Sequence, residues 1–287
     1  MNDTLLPRVL ELRGPSEPTV SLVFDSPHSG TDYPADFDHI APLKEIRKAE
    51  DTYVDELYAD APDHGATLLR ALFPRSYVDP NRSAEDLDLD LIEGTWHGLV
   101  APSEKCALGL GLLWGRYPPG LPLYGRKLSV AEVRQRIDGF HKPYHDTLRR
   151  VLDETHARFG VVWHIDCHSM PAMSNQMARE GPGVARPDFT LGDRDGTTCA
   201  PELTEAVRAT LSACGYQVTL NDPYKGAELV RAWSDPAAGR HSLQIEINRR
   251  LYMDEETFEK SEGFDRLKSD LGHLTEALAA FARSSLT

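Results

Sequence analysis

The sequence predicts an α/β fold, and two patterns carry that expectation. Short runs of β-branched and apolar residues, Thr19 to Phe24 and Val161 to Met170, end abruptly in polar turns that each contain a histidine. Between and after them lie longer stretches in which apolar residues recur at helical spacing. Strands alternating with amphipathic helices describe a sheet covered by helices. In open sheets of that kind, ligands bind beside the carboxyl ends of the strands.

Thr19 to Phe24 is the first strand, and the turn Asp25-Ser26-Pro27-His28-Ser29-Gly30 follows it directly. Pro27 and Gly30 tighten this turn, which holds the His28 imidazole more rigidly than an open loop would. From Leu43 to Ala61, the apolar residues Leu43, Ile46, Tyr53, Val54, Leu57 and Tyr58 predict one amphipathic helix, with Glu50 near its buried face and Asp51 on the flank. Ala66 to Leu72 reads as a strand. It leads into Tyr77-Val78-Asp79-Pro80-Asn81-Arg82, where the Arg82 guanidinium beside the Asn81 amide could clamp a carboxylate; pairing of Arg82 with Asp79 is the structural alternative. Residues 96 to 125 are rich in Gly, Pro and aromatics without a sustained period and read as a covering loop. Ser129-x-x-Glu132 is a capping box that opens a long helix through Val151, kinked at Pro143. His141 and His145 lie one turn apart on it. A metal pair there is disfavoured, because no Glu stands between them as in HExxH.

The stretch Val161 to Met170 is the centre of the argument. It is a buried strand running into Asp166-Cys167-His168-Ser169, with Asp166 two residues before His168 and so on the same side. That spacing suits a metal ligand with its supporting carboxylate. Cys167 points to the other side. A further strand at Asp188 to Leu191, a helix at Pro201 to Ala213 and a strand at Tyr216 to Leu220 follow. Ser242 to Ile247 alternates so that Leu243, Ile245 and Ile247 share one face and Gln244, Glu246 and Asn248 the other. A carboxylate in so apolar a strand is costly unless it is paired, metal-linked or catalytic. Asp254 to Ala280 reads as a final helix.

A chain of 287 residues with 40% hydrophobic and 26% charged residues can bury a sizeable core, and nothing in it demands a split, so residues 1–287 read as one domain. A net charge of −14 with no basic run excludes nucleic acid and anionic membrane as main partners. No apolar stretch reaches spanning length, and the first residues lack a secretory pattern, which places the expected location in the cytoplasm. Cys106, Cys167, Cys199 and Cys214 have no CxxC spacing and suggest neither a disulfide framework nor a thiolate zinc site.

Six segments in order, PHSG at Pro27, DTYVDELY at Asp51, YVDPNR at Tyr77, Pro122 to His145, DCHSM at Asp166 and QIEINR at Gln244, together resemble the N-formylglutamate amidohydrolase family from about residue 20 to 255. The resemblance implies a three-layer α/β/α fold with a mixed, mostly parallel sheet of the zinc carboxypeptidase kind. It also implies one Zn²⁺ per chain, with Mn²⁺, Co²⁺ or Fe²⁺ as alternatives, held by His28, His168 and an acidic residue. The residue three after His28 is Thr31, so an HxxE pair is absent. The resemblance favours Asp51 as the third ligand, helical periodicity favours Glu50, and both stay open. Asn81 and Arg82 would bind the substrate carboxylate, and Glu246 would be the general base for a water made acidic by the metal. Arg126, Arg194 and Lys225 are the other loop cations near motifs that could meet an acidic substrate. The expected partner is a small N-acyl, foremost N-formyl, amino acid such as N-formylglutamate. A metallopeptidase on the same fold and a non-catalytic binding protein are the competing classes.

Overall fold

A computed structural model describes residues 3–15, 18–178 and 180–285. In chain order they form Thr4–Leu6 (β1), Leu10–Arg13 (β2), Leu22–Ser26 (β3), Leu43–Arg47 (α1), Val54–Leu57 (α2) and Thr67–Ala71 (β4). The covering stretch adds Ile92–Glu93 (β5), Glu104–Ala107 (α3), Arg116–Tyr117 (β6), Leu121–Pro122 (β7) and Leu128–Ser129 (β8). Then come Val130–Arg136 (α4), a π turn at Ile137–His141, Lys142–Phe159 (α5), Val162–Met170 (β9), Phe189–Gly192 (β10), Pro201–Ala213 (α6), Val218–Leu220 (β11), Glu228–Ala232 (α7), Arg240–Asn248 (β12) and Phe264–Ser284 (α8).

One eight-stranded sheet has the order β1-β2-β4-β3-β9-β12-β10-β11. Its centre, β4-β3-β9-β12, is parallel throughout, while β1, β2 and β10 run antiparallel to inner neighbours. The sheet is therefore mixed with a parallel heart and lies between two helical layers. Period-two alternation gives its faces different jobs. Leu22, Phe24, Ile165, Cys167, Leu243, Ile245 and Ile247 all join the core cluster formed with α2, α6 and α8. On the opposite face, Asp25, His164, Asp166, His168, Gln244 and Glu246 form a polar row. Register makes the row continuous, since Asp25 lies opposite Asp166, Gln244 opposite Asp166, and Glu246 opposite His168.

Three local expectations change. The single helix expected from Leu43 to Ala61 is two short helices, because Tyr53 sits at φ 67° and the Asp51 amide hydrogen-bonds to the His28 carbonyl instead of a helical partner. The final helix starts at Phe264 rather than near Asp254. The Asp254 carboxylate caps the amides of Glu256 and Thr257 in a turn, and Phe258 at φ 60° cannot continue a helix. The break expected at Pro143 takes the form of the π turn just before it. The Ser129/Glu132 capping box is present as read. Among the described residues, no helix is long and apolar enough to cross a membrane.

Candidate active site

The turn after β3 carries His28, and its tightness has a clear cause. A Cβ at Gly30 would stand 2.3 Å from the Phe73 carbonyl oxygen, so only glycine lets the turn pack there. His28 is buried, and its Nε2 lies 2.7 Å from Asp79 Oδ1, which accepts its proton. A carboxylate on Nε2 fixes the tautomer and leaves Nδ1 as a lone pair. Among the described residues that Nδ1 has no hydrogen-bond partner, and it stands 3.3 Å from Asp51 Oδ2. His168, near the carboxyl end of β9, differs in its bonding: Nδ1 is hydrogen-bonded to the same Asp51 oxygen at 2.9 Å, Nε2 lies 3.0 Å from the Asn81 amide nitrogen, and Asp166 Oδ1 stands 2.7 Å from Nε2. The two rings are 4.7 Å apart. One ligand atom from each of His28, Asp51 and His168 falls within 4.8 Å of the others.

Charges around this cluster are set by burial and by each other. Burial opposes the Asp51 charge, but the hydrogen bond from His168 and the nearness of His28 outweigh it and hold the carboxyl well below its usual range. Burial likewise opposes a charged His168, yet Asp166 and then Asp51 raise its affinity for a proton well above that of a free imidazole. The donor set fits a divalent cation. It offers two imidazole nitrogens, one of them orphaned and buried, and one carboxylate oxygen, with a carboxylate behind each imidazole. Glu50 faces away from this point and accepts from Tyr33 Oη at 2.5 Å and from Arg47.

Glu246 faces His168 across the sheet. It is buried and accepts one hydrogen bond, from Gln244 Nε2 at 2.9 Å. Burial, reinforced by the Asp51 charge, pushes its carboxyl up to about 7. Arg249, the partner that would make it merely structural, donates to Asp51 Oδ1 at 3.1 Å and to Ser169 Oγ instead. Among the described residues Glu246 has no ion pair.

The profile of the N-formylglutamate amidohydrolase family matches residues 20–253. The chain belongs to that family. It is 31% identical over 243 residues to an N-formylglutamate deformylase of Pseudomonas putida, covering 82% of each chain. To the N-formylglutamate deformylase of Pseudomonas aeruginosa it is 29% identical over 275 residues, 92% of this chain and 94% of the other. A crystal structure of an N-formylglutamate amidohydrolase from Ralstonia eutropha JMP134 superposes with a TM-score of 0.92 at 45% identity, covering 97% of this chain and 100% of that one.

In this family member the loop from Asp79 to Arg82 joins the cluster as a unit. Asp79 is held well below the usual carboxylate range; burial opposes this, and the charges of Arg75 and then His28 overcome it. Asn81 receives the Leu229 amide on Oδ1, which orients its NH₂ to within 3.0 Å of His168 Nε2. Arg82 donates Nε to the Leu110 carbonyl and Nη1 to the Asn81 carbonyl, leaving Nη2 without a protein partner among the described residues. The other three loop cations are engaged elsewhere. Arg126 is exposed between Asp38 and Glu132, Lys225 pairs with Asp195, and Arg194 donates to the Gly226 carbonyl. Arg75 is the cation whose charge acts on Glu246. Arg75 donates twice to Asp79 and raises no sequence signal beyond its charge. Arg186 is buried, paired with Glu180, and lies 5.1 Å over the Tyr224 ring, whose hydroxyl feels the Glu246 charge. Burial lowers the proton affinity of Lys105, and the charges of Arg82, Arg75 and Arg186 lower it further, while Glu180 opposes them.

Proposed function

We propose that the chain is a metal-dependent amidohydrolase that removes the formyl group from an N-formyl acidic amino acid, N-formylglutamate first, with Zn²⁺ held by His28, Asp51 and His168. The observation that carries this reading is the convergence of two carboxylate-backed imidazole Nδ1 atoms on Asp51, with Glu246 protruding from the neighbouring strand. When bound, the metal would acidify water and polarise the formyl carbonyl. Glu246, with a proton affinity suited to neutral pH, takes the proton of the attacking water and passes it to the amide nitrogen as the C–N bond breaks, giving formate and the free amino acid. Asp79 and Asp166 keep the imidazoles oriented. The open Nη2 edge of Arg82 serves one substrate carboxylate, with Asn81 holding the loop beside it. Arg126 and Lys225 are exposed and paired at the surface, so the buried Arg186, whose charge acts on Lys105 together with those of Arg82 and Arg75, is the better match for the second carboxylate. Four free cysteines suit a reducing cytoplasm.

The test is a panel of N-formyl, N-acetyl and N-succinyl amino acids with metal-loaded protein, reading free amine. Fastest turnover of N-formylglutamate supports the reading. Equal turnover of N-formyl amino acids with neutral side chains removes the second carboxylate site, and no turnover of any member removes the reading.

A further inference from the structure

The loop that steadies both imidazoles is irregular and buried, so each of its carbonyls needs a donor. The Asp79 carbonyl has the Arg82 amide, and the Asn81 carbonyl has the Arg82 guanidinium. The remaining two are met from outside. His145 Nε2 lies 2.7 Å from the Pro80 carbonyl, and His141 Nε2 lies 2.8 Å from the Arg82 carbonyl. A carbonyl only accepts, so both rings carry their proton on Nε2. One step upstream, the buried Arg136 donates Nη1 to the Tyr77 carbonyl at 3.1 Å. Three donors from one helical rod therefore grip residues 77, 80 and 82.

The rod's irregularity makes this possible. In a plain α-helix, residues 136 and 141 would point roughly 140° apart. The π turn at Ile137–His141 takes up one extra residue and returns His141 to the face of Arg136, with His145 one α turn further on. The two imidazoles stack at 4.2 Å with planes 25° apart. Burial, and then the neighbouring ring, push His145 down to about 3, and burial lowers His141, so both are neutral donors.

We propose that Arg136, His141 and His145 form a positioning rack that sets the Asp79 to Arg82 loop, and through Asp79 and Asn81 the orientation of His28 and His168. This rests on the metal site proposed above. None of the three is itself a ligand or touches substrate.

The experiment uses the full chain with His141→Phe and His145→Phe, which keep a ring but no donor. His141→Gln and His145→Gln place an amide N–H where Nε2 stood, and His145→Asn carries an amide too short to reach. Zinc affinity is read by chelator competition on protein shown folded by its melting transition. The imidazole ¹⁵N resonances of His28 and His168 are read on metal-free protein. The rack requires the Phe variants to bind zinc about tenfold more weakly, to lose kcat more than they raise KM, and to shift both imidazoles. The Gln variants should recover to within about threefold. Folded Phe variants with wild-type zinc affinity and unshifted resonances overturn it. If the Phe variants do not fold, His145→Gln near wild type with His145→Asn tenfold weaker supports the rack, and equal affinities refute it. Should the wild type bind no zinc, the metal reading fails by itself, and the imidazole resonances still decide the rack.

Discussion

Replacing Glu246 by Gln should make the metal-free protein more stable while abolishing turnover, and both halves can be sized. The carboxyl stands at about 7 in the folded chain against 4.5 for an ordinary glutamate. Each unit of difference corresponds to about 1.4 kcal/mol, so the ionised form costs folding about 3 kcal/mol. The folded value is the higher one, so the group favours folding fully below about pH 4.5, and the benefit is lost as pH rises through 7. Gln keeps the shape and still accepts from Gln244 Nε2 but carries no charge. The variant and the wild type should therefore match near pH 4 and diverge above pH 7, where metal-free Glu246→Gln should melt roughly 5 °C or more higher. An amide cannot take up a proton, so kcat should fall by about 10²–10⁴ with metal content unchanged. Melting scans with chelator at pH 4.5 and 8, and kcat with bound zinc on one preparation, check this. Equal stability at pH 8 would show that Glu246 is not held against its charge. Retention of more than about a tenth of wild-type kcat would remove it as the base, and loss of zinc would make it a ligand instead.

Other perturbations probe the surrounding parts. His28→Ala and His168→Ala should each abolish tight binding of one divalent ion per chain, as measured by elemental analysis; normal metal in both would eliminate the site. Asp79→Asn and Asp166→Asn remove the carboxylates behind the imidazoles and should weaken zinc by about 10–100-fold in a chelator titration, with wild-type affinity in both counting against the geometry. Arg82→Met should raise KM by roughly 30-fold, about 2 kcal/mol, with Arg82→Lys recovering little because the planar fork is lost; an unchanged KM would move the clamp elsewhere. Arg186→Met should lower kcat/KM for N-formylglutamate by about tenfold or more while sparing an N-formyl amino acid with an apolar side chain, and an equal loss on both would make Arg186 structural.

What could be read from the chain alone was what is encoded within a few residues. His28 stands two residues past β3, His168 lies inside β9 near its carboxyl end rather than in a turn after it, Asp166 is two residues from its imidazole, and Glu246 interrupts an alternating strand. Period two is enough to place each of them. The second half of the site is made by partners far apart in sequence. Asp79 serves His28 from 51 residues away, and Arg249 reaches Asp51 across 198. No periodicity encodes such pairs. Choosing between Glu50 and Asp51 fell in the same gap. Helical phase favoured Glu50, but the chain leaves the helix there, and with the His28 carbonyl holding the Asp51 amide and Tyr53 left-handed it is the Asp51 carboxyl that lies beside the two imidazoles, while Glu50, equally buried, meets Tyr33 and Arg47. The outer edge β1, short and fully exposed, gave no apolar pattern to read.

His164 shows why so much charge can be buried behind the site. It lies in the middle of β9, fully enclosed, with Nε2 2.8 Å from Asp25 Oδ1 and Nδ1 against Ser242 Oγ, while Tyr144 donates to Asp25 Oδ2 at 2.7 Å. The arrangement has the residue types of a nucleophilic triad, but no member of it reaches solvent. Its members instead satisfy one another, and so extend the polar row of the sheet inward from His168 under α5 without leaving lone groups. Tyr144 bonded to Asp25 fixes the helix at one height, and on that helix His145 is the next residue. The buried network and the grip on the Pro80 carbonyl are thus two sides of one helical turn, and the polar row that costs stability also sets the position from which the metal site is held.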